Sequence, residues 1–273
     1  MTKQPASAPA EITRYATTRE PEQLTDLVSV EQPLELRVRG RSIAITMRTP
    51  GHDTELAAGF ALSEGIVTDP QQIVEIAHCT RSEATHPENI VNLFLTSETA
   101  CDLERLSRHV FASSSCGICG KASIEAIHEN WPPVDSDFQT TSATLRDLPA
   151  QLNAAQSEFK QTGGLHAAAL ARPDGTLVCL REDVGRHNAV DKVIGWGILN
   201  GILPSDDHLL VVSSRASFEI MQKALAAHIP LVAAISAPSS LAIEFAHANR
   251  QTLVGFLRPT GFNIYSHPQR IQD

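Results

Sequence analysis

The sequence predicts an α/β protein, on three observations. HLLVVSS (208–214), PLVAAIS (230–236) and TLVGFL (252–257) are short, nearly continuous apolar runs. Between them, ASFEIMQKALAAH (216–228) and SLAIEFAHANR (240–250) carry apolar residues at helical spacing. Apolar runs alternating with helices signal parallel strands covered on both faces. The first hundred residues instead alternate apolar and polar, the sign of half-buried strands in a smaller α+β unit.

In chain order, the first dozen residues, rich in Ala, Pro and Ser, read as the start of a disordered tail, which extends over 1–26. From residue 27 the pattern turns strand-like. Leu34, Leu36 and Val38, then Ile43, Ile45 and Met47, alternate along two strands joined at Arg39-Gly40-Arg41, a hairpin signal. DTELAAGFALSEGIV (53–67) has helical spacing and stops at Gly65, and NIVNLFLTS (89–97) is a further strand. LERLSRHVFASSS (103–115) reads as a short helix running into a serine- and glycine-rich loop. ENWPPVDSDFQTTSA (129–143) is a linker by its prolines and polar residues. GLHAAALARPDGTLVCL (164–180) is two strands about the turn Pro173-Asp174-Gly175, and EDVGRHNAVDKVIGWGIL (182–199) is a helix with Val190, Val193 and Ile194 on one side.

Bulk properties narrow the function. The chain has 273 residues, 42% hydrophobic and 19% charged, enough for one large domain or two ordinary ones. A net charge of −9 with no Lys/Arg block argues against nucleic acid or an anionic membrane as the main partner. No apolar run reaches membrane-span length and the first residues lack a signal-peptide core, so the expectation is a cytoplasmic protein. Its five cysteines are then reduced, and a CxxC points to chemistry or metal before a structural disulfide.

That CxxC lies in SSSCGICGK, as Cys116 and Cys119. A structural zinc site needs four ligands, and there is no second pair, so no stoichiometric zinc is expected. Zinc deaminases place a His-x-Glu before their CxxC, whereas here His166 follows it and HAA has alanine where the glutamate belongs. A helix N-terminus and Lys121 would favour thiolate over thiol at a redox pair. Yet three serines precede the motif where a thioredoxin has a strand. A mobile loop suits a thiol that travels between two partners.

In open α/β sheets ligands bind beyond the carboxyl ends of the strands. Those ends read Ser213-Ser214-Arg215, Ser236-Ala237-Pro238-Ser239-Ser240 and Arg258-Pro259-Thr260-Gly261. Each serine alone is most simply a helix cap. Arg215 and Arg258 are called for by neither capping nor packing, and they tilt the set toward an anion pocket. With no Walker loop and no GxGxxG, it is not an ordinary ATP or NAD site. EDVGRHNAVDK concentrates polar residues at a helix start. Asp183 suits an N-cap, and Arg186 could pair with Asp183 or Asp191 on the surface. His187 and Asn188 are poor helix formers whose presence there invites a site reading. His166 stands as a core histidine or a ligand.

SSSCGICGKASIEAI, EDVGRHNAVDK, SSRASFEIMQKA, TLVGF with NIYSHPQR, and LAAGFALSEGIV together resemble, in order from about residue 30 to the carboxyl end, the FdhD family of formate dehydrogenase accessory proteins. The resemblance implies a cytoplasmic sulfur carrier. It would take persulfide sulfur from a cysteine desulfurase and pass it to molybdenum bis(molybdopterin guanine dinucleotide) before that cofactor enters formate dehydrogenase. It also implies a homodimer and a cytidine-deaminase-like fold for the carboxyl-terminal layered domain. The organisation expected is a tail (1–26), a small α+β domain (27–109), the CxxC loop and helix (110–130) and the α/β domain (131–273). By the resemblance Cys116 carries the persulfide and Cys119 assists. The cofactor-binding stretch is Phe256, Leu257, Arg258, Pro259, Thr260 and Gly261, to which the strand-end argument adds Ser214 and Arg215. Many members carry a second basic residue where this chain has Gly261, which leaves Arg258 the only charge of the stretch. The other class of function is a non-catalytic chaperone of cofactor or apoenzyme with a redox-active CxxC.

Overall fold

A computed structural model describes residues 4–17, 19–80, 85–99 and 131–273. Cys116, Cys119 and the helix expected before them lie outside the described residues, as do residues 110–130 as a whole.

The chain opens with β1 (Ser7–Ala16) and β2 (Arg19–Ser29), an antiparallel hairpin. This corrects the expected tail over 1–26. The hairpin is mostly exposed, and its base is held by Val30 N–H donating to Ala6 O (2.8 Å) and Ser29 Oγ donating to Thr162 (2.8 Å). Neither EITRYA nor EQLTDLV alternates apolar and polar residues, so period two gave no sign of this exposed hairpin.

β3 (Gln32–Val38) and β4 (Arg41–Arg48) turn at Arg39 and Gly40, both at positive φ (50° and 77°), the turn that matches strand twist. The pairing slips between Leu36 and Arg37, a bulge that changes which side chains face inward. Ile43 is buried, but Ile45 and Met47, expected to continue the apolar alternation, are only half-buried, while Thr46 and Arg48 go inside. Arg48 meets Asp53 in a two-pronged pair (2.9 and 2.9 Å) and Gln4 Oε1 at 3.0 Å, which seats the amino-terminal residues. Helix α1 (Asp53–Ser63) follows, then β5 (Ile73–His78) and β6 (Ile90–Leu95), completing a sheet ordered β4-β3-β6-β5.

The second unit is a six-stranded sheet ordered β13-β12-β11-β10-β8-β9. Residues 131–139, expected as a linker, have no regular structure yet bury Trp131, Val134 and Phe138 against it. A two-residue strand β7 (Thr140–Thr141) leads into α2 (Ser142–Ala155) and α3 (Ser157–Thr162). β8 (His166–Ala171) and β9 (Leu177–Asp183) form the expected hairpin about Gly175, which sits at φ 85°. After α4 (Arg186–Leu199) come β10 (Leu209–Val212), α5 (Phe218–Ala226), β11 (Leu231–Ala234), α6 (Ser240–Ala248) and β12 (Thr252–Arg258). β10, β11 and β12 are parallel, as their apolar runs predict. β13 (Gly261–Ser266) closes the edge antiparallel, and β14 (Ile271–Gln272) pairs with β7.

Period-two alternation sorts the sheet's side chains to two cores. Ala168, Leu170, Leu210, Val212, Val232 and Leu253 join α4, α5 and α6 on one face. Ala167, Ala169, Leu209, Val211 and Val254 join Leu145, Leu148 and Leu152 of α2 on the other. The first core continues without a break into Leu34, Leu36, Leu56 and Leu62 of the amino-terminal unit. The bridge is α1 against α4, whose backbones touch: a Cβ on Gly59 would lie 1.9 Å from Asp191 O, and one on Gly195 1.7 Å from Glu55 O.

Polar pairs pin the same contact. Arg181 of β9 grips Glu55 of α1 with Nε–Oε2 2.6 Å and Nη2–Oε1 2.8 Å. Burial alone would raise the Glu55 pKa, but the hydrogen bonds from Arg181 and His52 overcome it and bring it down to about 2. Its pKa lies below the ordinary value of 4.5, so this pair's stabilisation is complete above pH 4.5 and lost as pH falls toward 2. Urea unfolding from pH 5 down to about 2.5 should therefore show a loss of stability that is smaller in Glu55→Gln than in wild type. Equal losses in the two proteins would remove Glu55 from that role.

Candidate functional site

One edge of the six-stranded sheet gathers three helix starts. β9, β10 and β11 run the same way, and each is followed by a helix, so α4, α5 and α6 present their amino ends at the carboxyl ends of these strands. That is the place where α/β sheets hold anions, because unpaired amides and the helix dipole point there.

The loops on this rim are knitted together. Ala216 N–H donates to Ala237 O (3.2 Å) and Ser239 N–H to Ala216 O (3.0 Å), extending the β10–β11 pairing beyond the strands. Phe256 N–H donates to Ser236 O (3.0 Å), bringing in β12. Ser213 exchanges two bonds with Ala167, its N–H to Ala167 O and Ala167 N–H to its Oγ (each 2.9 Å), bringing in the start of β8. Ser214–Arg215 and Phe256–Gly261 thus share one rim, as expected from the strand ends.

Within the rim the side chains divide. The Arg258 guanidinium folds over the end of β11, its Nη1 donating to Ile235 O and to Leu257 O (2.8 Å). Arg215, Pro259 and Thr260 are exposed. Phe256 is 45% exposed and stands at φ 53°, a left-handed conformation that costs a bulky residue strain and tends to mark functional positions. Gly261 sits at φ 154°, where a side chain is rarely accommodated. Leu257 faces the second core and is fully buried, so it shapes the rim from beneath. Ser214 is also buried, its hydroxyl given to Arg215 O at 3.1 Å. The helix caps are Ser217 and Ser239, three residues beyond the Ser214 and Ser236 ends of the apolar runs.

EDVGRHNAVDK splits the same way. Asp183 is not the N-cap, which is Gly185. Its carboxylate instead accepts from Gly185 N–H (2.8 Å), Asn188 Nδ2 (3.1 Å) and Thr49 N–H (3.1 Å) and pairs with Lys192 Nζ (2.7 Å). Asp191 pairs with Lys223 (2.9 Å), which also reaches Ser63 and Glu64. Burial penalises the Lys223 ammonium, but Asp191 and Glu64 outweigh it and hold its pKa above the lysine range. The surface pairs of Arg186 with Asp183 or Asp191 are therefore replaced by buried lysine pairs. Asn188 joins the inward-turned Thr46 through Oγ1 (3.1 Å) and the backbone Met47 O (2.7 Å). These groups fasten α4 to the amino-terminal unit.

His187 is different. Its Nε2 lies 2.7 Å from Glu219 Oε2, across the first turns of α4 and α5, with side chains 15% and 30% exposed. Sequence reasoning passed over Glu219, since an acid in a helix's first turn is ordinary. His166 opens β8 opposite Asp183; burial, then the charges of Arg186 and His187, push its pKa below the ordinary histidine value.

Other places fit worse. Cys79 and Cys179 are buried free thiols, and burial pushes Cys179 up to about 12. A hollow of ≈ 480 Å³ at the far end of the sheet is lined by Asp135, Asp137, Asp206 and Asp207, and would repel an anion. Among the described residues no cluster of three His, Cys, Asp or Glu is arranged to hold a metal, and no helix is long and apolar enough to cross a membrane.

Sheet and rim define a mixed α/β protein with three helix amino ends gathered at one edge of its larger sheet. Residues 29–272 match the model of the FdhD/NarQ family, and the chain belongs to that family. It is 46% identical over 251 residues to sulfur carrier protein FdhD of Streptomyces coelicolor, covering 90% of this chain and 89% of the relative. It is 47% identical over 246 residues to the protein of that name from Mycolicibacterium paratuberculosis, covering 89% and 90%. A crystal structure of a protein assigned as a formate dehydrogenase accessory protein, from Desulfotalea psychrophila, superposes with a TM-score of 0.78 at 23% identity, over 98% of this chain and all of that one.

Proposed function

We propose that this chain is a sulfur carrier that serves formate dehydrogenase, holding molybdenum bis(molybdopterin guanine dinucleotide) as its cargo on the rim. The observation that carries the reading is family membership across 29–272, a span that includes Cys116 and Cys119, with relatives named sulfur carrier proteins. The sheet order, two antiparallel strands beside three parallel ones, supports the cytidine-deaminase-like fold that the motifs imply. A cytoplasmic homodimer fed by a cysteine desulfurase completes the proposal.

The chemistry needs two cysteines. The Cys116 thiolate attacks the terminal sulfur of the desulfurase's persulfide, forming its own persulfide and expelling the donor's thiolate. Cys119 thiolate then attacks Cys116 Sγ. A Cys116–Cys119 disulfide forms and the terminal sulfur leaves as sulfide, two electrons richer, for the metal of the cargo. A dithiol reductant restores the pair. Intact mass after incubation with a desulfurase and cysteine should show one added sulfur, removed by reducing agent. A chain that takes up no sulfur while still maturing the enzyme would be a chaperone instead.

On the rim, amides of the α5 and α6 starts and the Arg215 and Arg258 charges meet the diphosphate, and the exposed Phe256 ring offers a stacking face to guanine. Charge-assisted contacts are worth about 1.5–3 kcal/mol each, so losing one arginine should weaken nucleotide binding by roughly ten- to hundredfold. GDP should bind by calorimetry and ATP much less. Equal GDP binding by wild type and an Arg215→Ala, Arg258→Ala double variant would place the pocket elsewhere.

A further inference from the structure

We propose that Asn263 reads the base of the bound nucleotide, and that Tyr265 holds its amide in the orientation that fits guanine. This rests on the reading of the rim as a guanine-nucleotide pocket.

That reading leaves the base unread. Helix amides, Arg215 and Arg258 meet phosphate, which every nucleotide carries, and a ring such as Phe256 stacks on any base. A guanine nucleotide differs from an adenine one at the edge of the purine. Guanine sets an acceptor, O6, beside a donor, N1–H. Adenine reverses the order, with N6–H beside a bare N1.

The residues placed to read that edge lie in NIYS (263–266), a stretch to which the rim has so far assigned no part. β13 runs antiparallel to β12 as the outermost strand of its sheet, and among the described residues nothing pairs with its other side. Asn263 is the partner of Gly255, the residue before Phe256, and directly opposed residues share a face of the sheet. That face looks toward the loop that opens α6: a Cβ on Gly255 would lie 2.9 Å from Pro238 Cδ and 3.4 Å from Ser236 O. It would also lie 3.0 Å from Tyr265 Cε2, so the missing side chain leaves room for the Tyr265 ring beside Gly255. Tyr265 OH in turn accepts from Asn263 Nδ2 (3.4 Å). Asn263 is exposed, and its side chain makes no other hydrogen bond among the described residues.

A carboxamide has one oxygen and two N–H groups. Tyr265 takes one N–H, which leaves the second N–H and Oδ1 free, one donor and one acceptor. Nδ2–H to O6 and N1–H to Oδ1 then make a two-bond match to guanine. Adenine fits only if the amide turns over, and Nδ2 then leaves Tyr265. Asn263 is therefore a specificity-determining residue, and Tyr265 positions it.

Calorimetry on the full chain with GDP, IDP and ADP tests this, since the three carry the same diphosphate. IDP keeps O6 and N1–H and lacks only the 2-amino group. Wild type should bind GDP and IDP alike, each roughly 10-fold or more tighter than ADP. Asn263→Ala should lower GDP and IDP affinity to about the ADP level and leave ADP unchanged. Tyr265→Phe, which keeps the ring, should narrow the gap between GDP and ADP. Thermal melting checks that Asn263→Ala folds; should it not, Tyr265→Phe decides, and an undiminished gap in that variant counts against the proposal. Asn263→Ala retaining the full preference for GDP over ADP, or wild type binding IDP as weakly as ADP, would overturn the assignment while leaving the pocket intact. Wild type binding none of the three would refute the pocket itself.

Discussion

A Cys116→Ala protein should accept no sulfur and leave formate dehydrogenase inactive, whereas Cys119→Ala should still take up sulfur but deliver it poorly. The asymmetry follows from the two steps above: the first thiolate captures sulfur, and the second releases it as sulfide. A free thiol with a pKa of about 8.5 is only a few per cent ionised at neutral pH, and lowering it to roughly 7 makes half of it reactive at about 2 kcal/mol. No described cysteine can stand in. Cys79 is buried, and Cys179 is buried with its thiol pushed up to about 12, far from any useful thiolate. Intact mass after desulfurase treatment and formate oxidation in cells lacking the native carrier measure the two steps separately. Full maturation by the Cys116→Ala chain would remove that residue from the mechanism.

Gly195→Ala should destabilise the protein severely, although it is among the mildest changes a helix can receive. Taken by itself, alanine favours a helix over glycine by about 1 kcal/mol. Here the added Cβ would sit 1.7 Å from Glu55 O and 2.8 Å from Gly59 N, both backbone atoms of α1 that no rotamer change can move. The helices must part, loosening Val193 and Ile194 against Leu56 in the shared core and straining the Glu55–Arg181 pair. Overpacking of this kind costs about 1–3 kcal/mol and more where backbone must shift, so a loss of roughly 3 kcal/mol or greater is expected. For a chain this size that corresponds to a fall of roughly 6–12 °C in Tm. Leu199→Ala, on the same helix but exposed, should cost far less. Stability within about 1 kcal/mol of wild type would mean the helices do not touch as described.

Local pattern alone determined the carboxyl-terminal sheet. HLLVVSS, PLVAAIS and TLVGFL are short and apolar with helices between them, and such runs have few other ways to hide from water. The strand ends likewise followed from chain direction: once β10, β11 and β12 are parallel, Arg215 and Arg258 must share a rim. Only the tertiary structure decided which polar residues of EDVGRHNAVDK serve the fold. Asp183, Asn188, Asp191 and Lys192 are buried by elements more than a hundred residues away or by α5, and a stretch of eleven letters carries no trace of those partners. His187 meets Glu219, thirty-two positions along the chain, and Gly195 meets Glu55 on another helix. Periodicity reports which face of an element is dry. What touches that face depends on contacts distant in sequence, which periodicity does not encode.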